Sequence, residues 1–221
     1  MPAVQAQMQV TLYQDIYNYS YGDGGEFNAV PNAALLSVNP TLAGYTPATA
    51  NLAAGPVNFQ TLCVETTEYF TPGDTYNVLI SDGILPDDQF PSGEPITMGT
   101  AWLYSQFAAG TLTGYDYTEG SGRIATAGDL QQAIWYLQGD VGSLVNGSAN
   151  GTAFYNEAAT ALGMANINNA ANGAYGVVCL NLRDGNDQDQ LMVVPEPSVV
   201  SFGLLLLLPL GLKKVRASFS K

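Results

Sequence analysis

The chain has 221 residues, 47% of them hydrophobic, with 19 acidic and 6 basic side chains, two cysteines and no histidine. The formal charge of −13 repels phosphate backbones and argues against any nucleic-acid partner. The missing His removes His-based triads and His metal ligands. All the acidic residues lie at or before Glu196, where the only basic ones are Arg123 and Arg183. Lys213, Lys214, Arg216 and Lys221 gather at the C-terminal end. No Lys precedes Lys213, so Lys–Asn isopeptide staples are excluded from the body.

Val4 and Ala6 suit the small-residue positions of a signal-peptidase site, so residues 1–7 read as a secretory remnant or a disordered start. Residues 8–20, with Val10, Leu12 and Ile16, read as an early strand, and Asp23-Gly24-Gly25 as a turn. From Pro31 to Pro56 the chain is rich in Ala, Asn, Thr and Pro and reads as a long loop with one short helical turn. Val57, Phe59, Thr61 and Cys63 share one face of a strand, and Leu62 and Val64 the other, which suits an interior strand. Glu65 to Phe70 is expected to continue it. A turn at Thr71-Pro72-Gly73-Asp74 then leads into Tyr76, Val78 and Ile80, giving an antiparallel hairpin.

Asp82 to Pro95 is rich in turns. A helix is expected from Gly99 through Trp102, Leu103 and Phe107 to Gly110. A second is expected from Asp129, whose side chain with Gln132 makes a capping-box pattern. Leu130, Ala133, Ile134 and Leu137 form its inward stripe. This places Gln131 in the first turn, with Trp135 one turn further on. A third helix runs from about Thr152 to Leu162, capped by Gly163. Tyr175 to Leu182 and Leu191 to Val194 are the closing strands. The turn between them holds Asp184, Asn186, Asp187 and Asp189. It lacks calcium-loop spacing and a distal Glu, so no metal site is expected. The sequons at Asn18, Asn146 and Asn150 read as chance matches.

These elements predict a β-rich α+β body over 8–194. Residues 8–95 and 172–194 would form a β-sandwich or barrel, with a helical insert at 99–163. A hydrolase is disfavoured. Without His it would need a carboxylate pair, and Glu65/Glu68 and Asp87/Asp88 have no special context. No cofactor is expected. Two exported cysteines first suggest a Cys63–Cys179 disulfide, which would suit a non-covalent structural or carbohydrate-binding matrix protein.

A second possibility comes from Gln131-Gln132-Ala133-Ile134-Trp135. This Gln-x-Ala-Ile-Trp pattern resembles the glutamine motif of surface-protein thioester domains, departing from it at Leu130, where the family has Thr. The strand Phe59-Gln60-Thr61-Leu62-Cys63-Val64-Glu65 would be its cysteine partner. The resemblance implies a bond between the Cys63 thiol and the Gln131 side chain, walled by Trp135 and by Tyr69 or Tyr104. Such a group is a stored acyl electrophile that reacts once with an amine.

The tail Pro195-Glu196-Pro197, an apolar run from Val199 to Leu212, and the basic cluster at Lys213 resemble the PEP-CTERM sorting signal of exported Gram-negative proteins. The run is shorter than the ~20 residues a stable span needs. The resemblance implies a short C-terminal sorting helix over 195–221, an inner-membrane intermediate, recognition by an exosortase and cleavage near the motif. Delivery would be to the cell surface or extracellular matrix, where an amine-bearing molecule or exopolysaccharide is the expected partner.

Overall fold

In the computed structural model, the described residues are 7–14, 20–21, 24–39, 57–86, 91–144, 149–183 and 187–194. The sorting segment, with Pro195, Glu196 and Pro197, lies outside them, as do Asp87, Asp88, Asp184 and Asn186. Among the described residues no helix is long and apolar enough to cross a membrane.

The fold is β-rich α+β. Six strands form one antiparallel sheet: β1 (Gln9–Tyr13), β4 (Phe27–Pro31), β5 (Phe59–Thr61), β6 (Thr75–Ser81), β9 (Val177–Leu182) and β10 (Gln190–Val193). Their spatial order is β10-β9-β6-β1-β4-β5. The two ends of this order nearly meet. Leu191 N–H donates to Leu62 O at 3.1 Å, Val64 N–H donates to Asp189 O at 3.1 Å, and Cys63 forms an isolated bridge with Gln190. The sheet is therefore a nearly closed barrel, which leaves little free edge. Tyr104 ties the same seam from outside, its hydroxyl lying 2.9 Å from both Gln60 O and Leu191 O.

Side-chain alternation in β9 divides the core. Val178, Leu180 and Leu182 join Val10, Leu12, Phe59 and Val78 inside the barrel. Val177 and Cys179 face the other way, into a second cluster with Leu103, Phe107, Ile134 and Phe154. That outer cluster is covered by three helices: α2 (Met98–Ala108), α3 (Ser121–Gln138) and α4 (Ala149–Leu162). The Thr97 hydroxyl caps α2 by accepting from Thr100 N–H at 3.2 Å. A small hairpin, β2 (Ser20–Tyr21) with β3 (Gly24–Gly25), packs on α3. The short helix α1 (Ala33–Val38) lies within the stretch read as loop. The remaining two short strands, β7 (Gly83–Ile84) and β8 (Glu94–Pro95), pair with each other.

Three expectations are corrected. Strand 57–64 does not continue to Phe70 and does not form a hairpin with β6. Instead β5 pairs with β4, while β6 pairs with β1 and β9. The chain leaves β4 after Thr61 to meet β10, and Glu65 then holds the closing turn, its Oε2 accepting from Asp189 N–H at 2.7 Å. The glycine turn survives, but Gly73 N–H donates to Leu12 O, docking it on β1.

The third correction concerns the glutamine helix. It begins at Ser121, so Asp129 is interior and Gln131 lies mid-helix. A tertiary contact outweighs the local capping pattern. Arg123, in the first turn, forms a buried two-pronged ion pair with Glu26, and Glu26 also accepts from Tyr115 OH at 2.6 Å.

Candidate functional site

Gln131 faces the closing seam of the barrel and is 1% exposed, while Cys63 is fully buried. The two side chains meet. Gln131 Oε1 accepts from the Cys63 thiol at 3.2 Å and from Cys63 N–H at 3.1 Å. A third donor, Gly25 N–H, lies 3.4 Å from the same oxygen. On the other side Gln131 Nε2 donates to Cys63 O at 2.7 Å. The amide is thus oriented by backbone on both ends, which fixes which atom is oxygen and which nitrogen.

Chemically, two backbone N–H groups converge on the carbonyl oxygen of an amide that also touches a thiol. That is the donor arrangement that stabilises the oxyanion of acyl transfer. Attack of sulfur on the Gln131 side-chain carbon would form a C–S bond and break the C–N bond. The thiol proton would leave with the nitrogen as ammonia.

The glycines of β3 make this approach possible. A Cβ on Gly24 would stand 2.3 Å from Trp135 Cη2 and 2.7 Å from Gln131 Cγ. Gly25 has φ of +133°, a backbone region that favours glycine. The Glu26–Arg123 ion pair then pins the next residue to α3 itself. Burial raises the Glu26 carboxyl above its ordinary range, while Arg123, directly bonded to it, pulls the other way.

Burial is the first cause that pushes the Cys63 thiol well above its usual range, and the charge of Glu65 adds to it, with Asp140 a smaller contributor. The sulfur therefore rests as a neutral thiol. The Trp135 indole N–H acts in the opposite sense, favouring the thiolate, and its sheltered Nε1 has no conventional hydrogen-bond partner among the described residues. The wall around the sulfur is Phe27, Trp135, Phe70 and Val141. Phe27 and Phe70 meet edge to face, with centroids 4.9 Å apart.

Of the wall residues expected from sequence, Trp135 is in place. Tyr69 is not: it is 57% exposed, because the chain turns away after Glu65 instead of continuing the strand. Tyr104 is buried, but in the helix-side core, where it ties β5 to β10. Phe27, Phe70 and Val141 take the roles given to those two. Alternation at Phe27 and the glycine pair just before it were the available signals for that part of the wall.

The Cys63–Cys179 disulfide is not formed, and both cysteines are free and buried. Each has its own partner, since Cys179 Sγ lies 3.8 Å from Asp189 Oδ2. Asp189 also accepts from Leu182 N–H at 2.7 Å, so it organises the closing turn. Glu65, half of a suggested carboxylate pair, is engaged with the same turn. No known protein family, curated protein or solved structure matches the chain.

Proposed function

We infer that this chain is an exported, surface-sorted protein whose body stores an internal thioester between Cys63 and Gln131. It would use that group once, bonding covalently to an amine-bearing molecule of the cell surface or surrounding matrix. The single observation that carries the reading is the convergence on Gln131 Oε1 of the Cys63 thiol and two backbone N–H groups. Two further features support it. The sulfur is sealed from water by an aromatic wall, as a hydrolysable acyl group requires. The body lacks Lys, so copies do not offer lysine amines to one another. The Pro195-Glu196-Pro197 tail supports export, exosortase processing and surface delivery.

The competing reading is a non-covalent structural or carbohydrate-binding matrix protein. There Gln131, paired with both backbone polar groups of Cys63, is only a strut between α3 and the barrel. Incubation with labelled methylamine separates the two. The covalent reading expects one label per chain on Gln131 and one new thiol on Cys63, both lost in Cys63→Ala. The strut reading expects no label.

A further inference from the structure

Beside this site stands a carboxylate that none of the chemistry above uses. Asp140 follows the C-terminal Gly139 of α3, and its N–H donates to Trp135 O at 2.9 Å. The next residue, Val141, packs on the Cys63 cluster. Asp140 is therefore held between two members of the wall around the sulfur. The residue is partly exposed, yet its Oδ2 is sheltered and has no hydrogen-bond partner among the described residues. A satisfied structural Asp would normally have one. Glu94 of β8 feels the Asp140 charge, as does Cys63.

Resting on the thioester reading, we propose that Asp140 accepts the proton of an incoming cationic primary amine, so that the amine attacks the Gln131 acyl carbon as a free base. The substrate class is an alkylammonium, such as a lysine side chain. A protonated amine has no lone pair and cannot attack. It is drawn to the acidic rim of Asp140 and Glu94, where one proton passes to the Asp140 carboxylate. The free amine then forms a C–N bond to the acyl carbon, and the C–S bond breaks. The second ammonium proton, created by the attack, goes to the Cys63 sulfur. Asp140 finally releases its proton to water. The balance is one alkylammonium plus thioester giving amide, thiol and one proton, with no oxidant or metal.

Burial holds the Asp140 carboxyl at about 6 and, with the Asp140 charge, Glu94 at about 7. A base poised near working pH is the more effective one. Among the described residues, Cys63 and Glu94 feel the Asp140 charge and Glu65 acts on Cys63, and none of these is cationic.

The test uses the full chain and its Asp140→Asn and Asp140→Glu variants, with two nucleophiles at neutral pH. Methylamine is cationic there, and hydroxylamine is uncharged. Intact mass, read first, reports whether the thioester forms in each protein. Asp140→Asn should still be lighter by one ammonia. It should react with methylamine about tenfold or more slowly, since a positioned base contributes ~10²–10⁴-fold. With hydroxylamine it should match the wild type within about twofold. The methylamine deficit should shrink as pH rises and free base becomes abundant. Asp140→Glu should keep most of the methylamine rate. Equal rates for both nucleophiles in Asp140→Asn and wild type would overturn the proposal. So would equal slowing of both nucleophiles, the mark of a structural role. An Asp140→Asn chain at full mass beside a lighter wild type would overturn it too, by moving Asp140 to bond formation. A wild type at full mass would instead sink the thioester reading itself, and with it this step.

Discussion

Gly24→Ala is the sharpest perturbation of the site that removes no reacting atom. The new methyl would stand 2.3 Å and 2.8 Å from Trp135 Cη2 and Cζ2 and 2.7 Å from Gln131 Cγ. Gly24 has no left-handed φ, so the change is steric and not a matter of backbone strain. Neither neighbour can yield freely. Trp135 is buried against Phe27, and Gln131 is bonded to Cys63 at both ends of its amide. Inserting one methyl into such a packed site destabilises by about 1–3 kcal/mol. With a urea slope of ~1–3 kcal/mol/M, the unfolding midpoint should fall by roughly 1 M. The same displacement should pull Gln131 from the thiol, so that much of the folded variant keeps its full mass. Gly142→Ala is the control, because a Cβ there meets nothing within 4 Å. Urea melts and intact mass on the three proteins are the assay. A Gly24→Ala chain as stable as wild type, and equally light, would refute the claim that β3 presses on Gln131 and Trp135.

Arg123→Ala leaves Glu26 buried beside Tyr115 without its cation and should lose ~3–5 kcal/mol, whereas Arg123→Met with Glu26→Leu should recover most of that in the same melts. Stability should also depend on pH with an unusual sign. Glu94 rises from 4.5 to about 7 and Asp140 from 3.8 to about 6, and Glu26 also moves up. Between roughly pH 4 and 7 the folded chain holds protons the unfolded chain has released, so stability should fall as pH rises through that window. Tm should be higher near pH 5 than near pH 8, and Glu94→Gln with Asp140→Asn should flatten the difference; a Tm that climbs with pH contradicts the assignment. Surface-localised protein from the native host should end near Pro195–Pro197 by C-terminal peptide mapping, and recovery of intact Lys221 would count against sorting by cleavage.

The sequence carried the site in its local patterns and lost it in its long-range ones. The pairing of Cys63 with Gln131 rests on the resemblance of the Gln-x-Ala-Ile-Trp pattern to the thioester-domain motif, while helical spacing alone sets Trp135 one turn from Gln131, and Trp135 does line the sulfur. The inward stripe of Leu130, Ala133, Ile134 and Leu137 is buried as its period requires. Asp129 misled because a capping box looks the same whether or not a helix precedes it. The deciding residue was Glu26, nearly a hundred positions from Arg123 and joined to it only by folding. Tyr69 misled for a related reason. Strand alternation in the sequence runs on past Glu65, but the seam with β10 turns the chain there. Gly24 and Gly25 are expected in a turn but instead form strand β3, and their closeness to Gln131 needs that hairpin laid on α3.

Intact mass of the purified chain tests the central claim most directly. A Cys63–Gln131 bond makes the protein lighter than its sequence by one ammonia. Cys63→Ala and Gln131→Ala should each restore full sequence mass, and Cys179→Ala should keep the deficit, since Cys179 is engaged with Asp189 instead. A wild-type chain at full sequence mass, or a deficit that survives Cys63→Ala, would contradict the account.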